Sequence, residues 1–176
     1  MDVFDAIRSR FSYRGQYKPE RVPREHLKAI IEAGLAAPSG CNMQTTHIVG
    51  IDEPALLEKL GGMLGDSDFN TAPAGIVVLT RVQYSQDGKA YNVQDYAAAI
   101  ENMLLAITAF GYASCWVEGY VRYYHDIAAR MTQALGAPEG YQVVAYLPVG
   151  VAAQAGARAK KRAFTERAGF NRFSGE

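Results

Sequence analysis

The stretch Ala37-Pro38-Ser39-Gly40-Cys41-Asn42-Met43-Gln44 lies where a helical pattern ends and an extended pattern begins. Pro38 ends the preceding helix, because a proline inside a helix lacks a backbone donor and clashes with the turn before it. Ser39 and Gly40 then predict a turn. Asn42 and Gln44 add two amides, which both donate and accept hydrogen bonds and so suit a flat, polar heteroaromatic edge. The stretch by itself also fits an ordinary polar connection between a helix and a strand.

Helices and short strands alternate on either side of this loop. The spacing of apolar residues predicts helices at about 2–9, 23–36, 53–64, 93–111 and 124–135. Asp52 is expected to cap the third helix, and Asn92 with Asp95 resembles a capping box at the start of the fourth. Strands are predicted at 47–51, 74–80, 114–117 and 141–150, the second buried on both faces because it is continuously apolar. This alternation indicates an α/β or an α+β domain.

The length and composition predict one globular domain spanning residues 1–176. The chain is 49% hydrophobic and 20% charged, which argues against disorder. Its longest strongly apolar run, 103–110, is far shorter than the roughly 20 residues that cross a bilayer. The helix that carries this run is apolar nearly all round and is expected to be central or to lie in a subunit interface. The acidic N-terminus lacks a signal-peptide pattern, and two isolated cysteines favour a reducing cytoplasm.

The charges are unevenly distributed although the formal net charge is zero. Residues 1–28 and 157–176 contain 13 of the 18 basic residues and 6 of the 18 acidic ones, a net charge of +7. The segment between them has a net charge of −7. Two basic ends on an acidic body indicate either nucleic-acid-binding tails or two ends that converge on one anion.

The first basic end contains a candidate phosphate site. In an extended segment Arg10, Ser12 and Arg14 share one face. Two guanidinium groups and a hydroxyl on one face match a phosphate, because arginine forms paired, charge-assisted hydrogen bonds with it. The same residues also fit a solvated basic segment.

Other chemistries have little support in the sequence. The three histidines, His26, His47 and His125, are far apart and have no metal-ligand spacing. Cys41 and Cys115 lack a recognisable base, and Cys41 is expected to be a small filler in its loop. No dinucleotide-binding or P-loop glycine motif occurs. Four features remain: a basic clamp near the start, an amide loop, a strand that ends at Glu118-Gly119, and a second basic cluster near the end. Together they outline a site for flavin mononucleotide (FMN).

The order of these pieces resembles the nitroreductase family of FMN-dependent oxidoreductases over nearly the whole chain. The family's opening Arg-Arg-Ser-x-Arg is similar to Arg10-Phe11-Ser12-Tyr13-Arg14. Its Ala-Pro-Ser-x-x-Asn-x-Gln-Pro loop is similar to 37–44, and its Gly-x-x-Ser-x-Trp motif to Gly111–Trp116. Glu118-Gly119 and Lys160-Lys161-Arg162 also fit.

The resemblance implies an α+β fold, a mostly antiparallel sheet wrapped by helices in an intertwined homodimer, with a C-terminal arm at about 151–176. It implies ping-pong hydride transfer from NADH or NADPH through FMN to a nitroaromatic, a quinone or a similar small acceptor. The FMN-binding residues it implies are Arg10, Ser12, Arg14, Pro38, Ser39, Asn42, Gln44, Glu118, Gly119, Lys160 and Arg162. The Pro38–Asn42 segment would come from the other subunit, and the backbone at Glu118-Gly119 would lie near flavin N5. The partners are thus a second copy of the chain and a small molecule, without nucleic acid or membrane.

Three departures from the family pattern affect these expectations. Phe11 replaces the second arginine, and Thr45-Thr46 replaces the usual Pro-Trp after the loop glutamine. The region 62–92, which includes Asp66-Ser67-Asp68, is short and polar, so a small or open acceptor site is expected. The alternatives are a non-catalytic FMN-binding protein, or a flavoenzyme of the same fold that performs ene reduction, dehalogenation or flavin fragmentation. A nucleic-acid-binding module that uses the basic ends is a third reading.

Overall fold

A computed structural model describes residues 1–65, 67–124 and 126–173 of the chain. Asp66 and His125, which enter the sequence interpretation, lie outside the described residues. The helices are α1 (Val3–Ser9), α2 (Arg24–Leu35), α3 (Pro54–Met63), α4 (Asn92–Ala109), α5 (Gly119–Tyr123), α6 (Ile127–Ala134) and α7 (Phe164–Arg167). The strands are β1 (Thr46–Ile51), β2 (Ala74–Arg81) and β3 (Tyr141–Val149). None of the described helices is long and apolar enough to cross a bilayer.

The three strands form one antiparallel sheet in the order β1-β2-β3. Thr46 pairs with Thr80 across the first interface, and Ala74 pairs with Val149 across the second. Strand β2 is in the middle and is buried from Ala74 to Thr80. This confirms the prediction that it is buried on both faces, because helices cover both sides of the sheet. The fold is therefore α+β, as expected from the resemblance.

Successive residues of β2 point into two different cores, as the period of two in a strand requires. Ala74, Ile76 and Val78 belong to a cluster that also contains residues of α2 and α4. Val77 and Leu79 belong to a second cluster with residues of α3, α5 and α6. Helix α4 packs in the first cluster against α2 and the sheet, so it has a central position, one of the two positions expected for it.

The strand expected at 114–117 is wrong as a continuous strand. Only Ala113 and Val117 form bridges there, to Gly150 and Tyr146 of the neighbouring segment. This register places Cys115 opposite Pro148, and a proline has no N–H to donate to the ladder. The segment still runs antiparallel beside β3, which fixes where Trp116 and Glu118 lie.

Both side-chain caps predicted for helix starts are also wrong. Glu53, not Asp52, is the residue at the N-terminal boundary of α3, and the Asp52 carboxylate accepts two hydrogen bonds from Arg24 at 2.7 and 2.6 Å. Helix α4 begins at Asn92 with no side-chain cap. The Asp95 carboxylate instead accepts hydrogen bonds from Gly40 N and Thr45 Oγ1 in the loop after α2.

The buried cysteine thiol and tyrosine hydroxyls predict that the protein loses stability in alkaline solution. Burial raises the pKa of the Cys115 thiol from 9.0 to about 11, and it raises the pKa values of Tyr17 and Tyr146. Burial and a hydrogen bond to Glu118 raise the pKa of Tyr96 from 10.0 to about 12. The unfolded chain releases these protons at lower pH than the folded chain does. The stabilisation is therefore complete below about pH 9 and is lost as the pH rises towards 12.

Urea unfolding measured from pH 8 to 11.5 should show this loss. We expect the free energy of unfolding to fall by about 1.4 kcal/mol per pH unit for each group between its unfolded and folded pKa values. Cys115→Ser should flatten the plot of unfolding free energy against pH between pH 9 and 10. In this range the thiol loses its proton in the unfolded chain and keeps it in the folded chain. A free energy of unfolding that does not change from pH 8 to 11 would contradict the prediction.

Candidate functional site

The two basic ends of the chain meet at one cavity of about 650 Å³. Its walls come from residues 7–14 and from residues 157–167. Six of the lining residues are basic, and none of the described residues in its lining is acidic: Arg8, Arg10, Arg14, Arg158, Lys161 and Arg167. Ser12 adds a hydroxyl. We call this the basic cavity, and its donors are of the kind that binds a phosphate.

A second cavity, of about 360 Å³, shares Arg14 with the basic cavity. It is lined by Cys115, Trp116, Glu118, Gly119 and Tyr120, among others, and we call it the tryptophan cavity. The positive charge of Arg14 opposes the rise that burial causes in the pKa of the Cys115 thiol, so its guanidinium lies near that residue. Arg14 therefore connects a basic region to a region with an aromatic and apolar wall.

The Glu118 side chain is held by two neighbours. Tyr96 donates its phenolic O–H to Glu118 Oε1 at 2.9 Å, and Arg122 donates to the same oxygen at 2.7 Å. Arg122 also donates to the Tyr96 oxygen at 3.0 Å. Tyr96 is buried on α4, so the tryptophan cavity has a fixed carboxylate on its wall.

The amide loop follows α2 and contains a short 3-10 turn, Gly40–Asn42. Three of its residues have positive φ values: 52° at Cys41, 54° at Asn42 and 50° at Gln44. The side chain of a non-glycine residue is disfavoured in this left-handed region. Gln44 N donates to Ser39 Oγ at 3.1 Å, which closes the loop on itself.

Asp95 of α4 anchors this loop and was missed as a site residue in the sequence. Its Oδ1 accepts from Gly40 N at 2.7 Å, and its Oδ2 accepts from Thr45 Oγ1 at 2.7 Å. The sequence did contain a signal, since Asp95 interrupts the apolar face of α4, but the spacing of Asn92 and Asp95 also resembles a capping box.

The structure brings some of the sequence-predicted residues together and keeps others apart. Arg10, Ser12 and Arg14 line the basic cavity, while Glu118 and Gly119 line the tryptophan cavity. Pro38, Ser39 and Gln44 line a third cavity of about 220 Å³, which shares no described lining residue with the other two. Asn42 is exposed on the same loop.

Lys160 and Arg162 are exposed but do not line the basic cavity, whereas Lys161 does. Of these three consecutive basic residues, Lys161 is the one whose side chain lines the cavity. Arg158 and Arg167 complete the basic lining and were not among the predicted residues. Their basic character and their position near Lys161 were visible in the sequence, but not their direction.

Another cavity, of about 740 Å³, contains none of the predicted site residues in its described lining. It lies beside α3, and the polar pair Arg24 and Asp52 on its wall is already joined by two hydrogen bonds. No cluster of three or more His, Cys, Asp or Glu residues suited to a metal ion occurs among the residues that the structure describes.

Comparison with known proteins identifies one family. The model of the nitroreductase family matches residues 7–67 and 62–151. A protein of Archaeoglobus fulgidus, named as a candidate NADH dehydrogenase/NAD(P)H nitroreductase, is 31% identical over 140 residues, which cover 76% of each chain. A protein of Methanothermobacter thermautotrophicus with the same name is 28% identical over 160 residues, covering 88% of this chain and 79% of the relative.

A solved structure shows the same fold. The BluB-like flavoprotein of Clostridium difficile superposes with a TM-score of 0.83 over 98% of this chain and 100% of that one. The two sequences are 23% identical, so this likeness concerns the fold. It agrees with the antiparallel sheet and the covering helices described above.

Proposed function

This chain belongs to the nitroreductase family, and we propose that it is an FMN-dependent oxidoreductase that takes electrons from NADH or NADPH. The acceptor we propose is a nitroaromatic, a quinone or a similar small molecule, reached by a ping-pong reaction. Two relatives whose names include NAD(P)H nitroreductase support this proposal, as does a flavoprotein among the structures of the same fold.

The observation that carries the proposal is that Arg14 lines both the basic cavity and the tryptophan cavity. The basic cavity offers five guanidinium groups, one ammonium and one hydroxyl, a donor set that fits the FMN phosphate. Trp116, on the wall of the tryptophan cavity, has a buried indole N–H without a partner among the described residues. A ligand that is anionic at one end and planar and polar at the other matches both regions.

The residues of this chain would bind and orient the cofactor. Arg10, Ser12 and Arg14 would hold the phosphate, together with the basic residues of the C-terminal segment. The backbone of Glu118 and Gly119 would lie beside the ring, and the bonds from Tyr96 and Arg122 keep that segment in place. Bound FMN would supply the hydride chemistry at N5, because redox chemistry of this kind belongs to the cofactor and not to side chains.

We also propose a homodimer in which the amide loop serves the site of the other subunit. The loop lines a cavity separate from the other two, which is expected if a partner completes the site. Large apolar side chains are exposed on α1 and on the C-terminal segment, including Val3, Phe4, Phe164, Phe170 and Phe173. Exposed apolar patches of this kind are typical of protein interfaces.

An absorbance spectrum of freshly purified protein tests the proposed function. We expect flavin bands that bleach on anaerobic addition of NADH or NADPH and return when an acceptor such as a quinone is added. Flavin bands that do not bleach with either nucleotide would favour a non-catalytic FMN-binding protein. A protein that takes up no FMN even after incubation with it would overturn the proposal.

The acceptor is the least constrained part of the proposed function. Ser67, Phe69 and Tyr120 line the tryptophan cavity, and the described residues just before β2 form a short 3-10 turn, Asp68–Thr71. This short wall supports a small or open acceptor site. The cytoplasmic location expected from the cysteine content stays a prediction.

A further inference from the structure

The amide loop is in a backbone conformation that its own residues do not favour. Cys41, Asn42 and Gln44 all have left-handed φ values. Glycine adopts this region freely and asparagine does so occasionally, but it is unfavourable for Cys41 and Gln44. Such conformations persist when surrounding contacts over-determine them. The hydrogen bond from Gln44 N to Ser39 Oγ is one such contact, but both its partners belong to the loop itself.

Asp95 lies outside the loop and binds both of its ends, while Thr80 and Arg81 of β2 hold the Thr45 carbonyl. The two Asp95 carboxylate oxygens accept hydrogen bonds from Gly40 N and Thr45 Oγ1, each at 2.7 Å. One side chain is therefore bonded to the chain before Asn42 and after Gln44. Asp95 is 4% exposed and Thr45 is 1% exposed. Water therefore cannot readily replace the bond between Thr45 and Asp95, and removing one partner leaves a buried polar group unsatisfied.

The loop and the start of α4 are also fitted closely to each other. A Cβ atom at position 40 would lie 2.3 Å from Cγ of the Tyr91 ring, so only glycine allows this approach. Gly40 N donates to Asp95 beside this close approach. Three residues thus meet where the loop contacts α4: Gly40, the buried Asp95, and Thr45, which stands where the family pattern has proline.

We propose that Asp95 is a positioning residue, which sets the direction of the Asn42 and Gln44 side chains towards the flavin through its bonds to Gly40 and Thr45. This inference rests on the proposed function, since it concerns the same cofactor. Asp95 itself does not touch the ring in this proposal. Thr45 donates its hydroxyl to Asp95. Where the family pattern has a proline, whose ring restricts the backbone, this chain has a threonine that is held by a hydrogen bond.

The test compares Thr45→Val, which removes the hydroxyl at nearly constant shape, with Thr45→Ser, which keeps it. We expect Thr45→Val to raise the Kd of apo-protein for FMN by about tenfold, the scale of one lost hydrogen bond to a charged group. It should also alter the visible circular dichroism of bound flavin and speed amide hydrogen exchange in residues 39–45. Thr45→Ser should return all three values close to those of the wild type. Asp95→Ala should change the Kd, the circular dichroism and the exchange rate more than Thr45→Val does.

A matched control separates positioning from general loss of stability. Asp52, like Asp95, is a carboxylate near the start of a helix, and it accepts hydrogen bonds from Arg24. Asp52→Asn weakens this interaction and should leave the FMN affinity and the flavin spectrum unchanged. If Thr45→Val lowers the melting temperature but leaves the Kd and the circular dichroism of the flavin at wild-type values, Asp95 is merely structural and the proposal is wrong.

The same experiments distinguish failure of this inference from failure of the proposed function. A wild-type protein that takes up no FMN overturns the proposed function, and the flavin part of this inference with it. Hydrogen exchange in the apo-protein then decides separately whether Asp95 holds the loop. Equal exchange in the wild type, Thr45→Val and Asp95→Ala would overturn that part as well.

Discussion

Replacing Arg14 with alanine is expected to weaken FMN binding by about 1.5–3 kcal/mol, or roughly 10- to 150-fold in Kd. Arg14 is the residue that lines both the basic cavity and the tryptophan cavity, so its loss affects both ends of the proposed flavin site. Arg10 also lines the basic cavity, but its guanidinium lies 3.7 Å from the Glu101 carboxylate, which already offsets part of its charge. The effect of Arg14→Ala should therefore exceed that of Arg10→Ala.

Titration of apo-protein with FMN and with riboflavin, which lacks the phosphate, measures where each arginine acts. Arg10→Ala should weaken FMN binding and leave riboflavin binding unchanged, whereas Arg14→Ala should weaken both. Arg130→Ala, an exposed residue of α6 outside the described cavity linings, serves as the control and should change neither Kd. Wild-type affinity of Arg14→Ala for FMN would show that the two cavities do not form one flavin site.

Replacing Ile76 with alanine should lower the free energy of unfolding by about 2–5 kcal/mol. Ile76 is fully buried in the middle of the central strand β2, where it belongs to the cluster formed with α2 and α4. The change removes buried apolar surface and leaves a cavity that the strand, bonded on both sides, is poorly able to close. Because α4 carries both Asp95 and Tyr96, this core also supports the candidate site.

Denaturant unfolding of the apo-protein measures this loss without the stabilisation that bound cofactor adds. Ile76→Val should cost about 0.5–1.5 kcal/mol, so a graded effect remains measurable if the alanine variant does not fold. Val82→Ala, just beyond β2 and largely exposed, should stay within about 0.5 kcal/mol of the wild type. If Ile76→Ala costs no more than Val82→Ala, the central position of β2 in the core is wrong.

The parts of the fold that depend on local pattern were predictable from the sequence. The apolar run at 74–80 predicted a strand buried on both faces, and the spacing in α2 and α4 predicted their extents to within two residues. The family was also recognisable, because its motifs are short, ordered segments. These features depend on the period of a strand or a helix, which neighbouring residues determine.

The sequence was less informative where a residue has partners far along the chain. Asp52 and Asp95 both stand near helix starts, and the capping rule assigned both to their own helices. Each binds a side chain or a loop 28 to 55 residues away instead. Likewise, Pro148 interrupts the pairing of 113–117, an effect visible only once the register of the two segments is known.

For the candidate site, the sequence by itself determined the residue types and their order: a basic end, an amide loop, a Glu-Gly segment and a second basic end. The tertiary structure decided that the two basic ends share one cavity, that Arg14 also lines the cavity that contains Trp116, and that Lys161 and not Lys160 lines the first. It also decided that Asp95 holds the amide loop. The physical reason is that charge and hydrogen-bonding capacity belong to each residue, whereas the direction of a side chain and the burial of its partners arise from packing between distant segments.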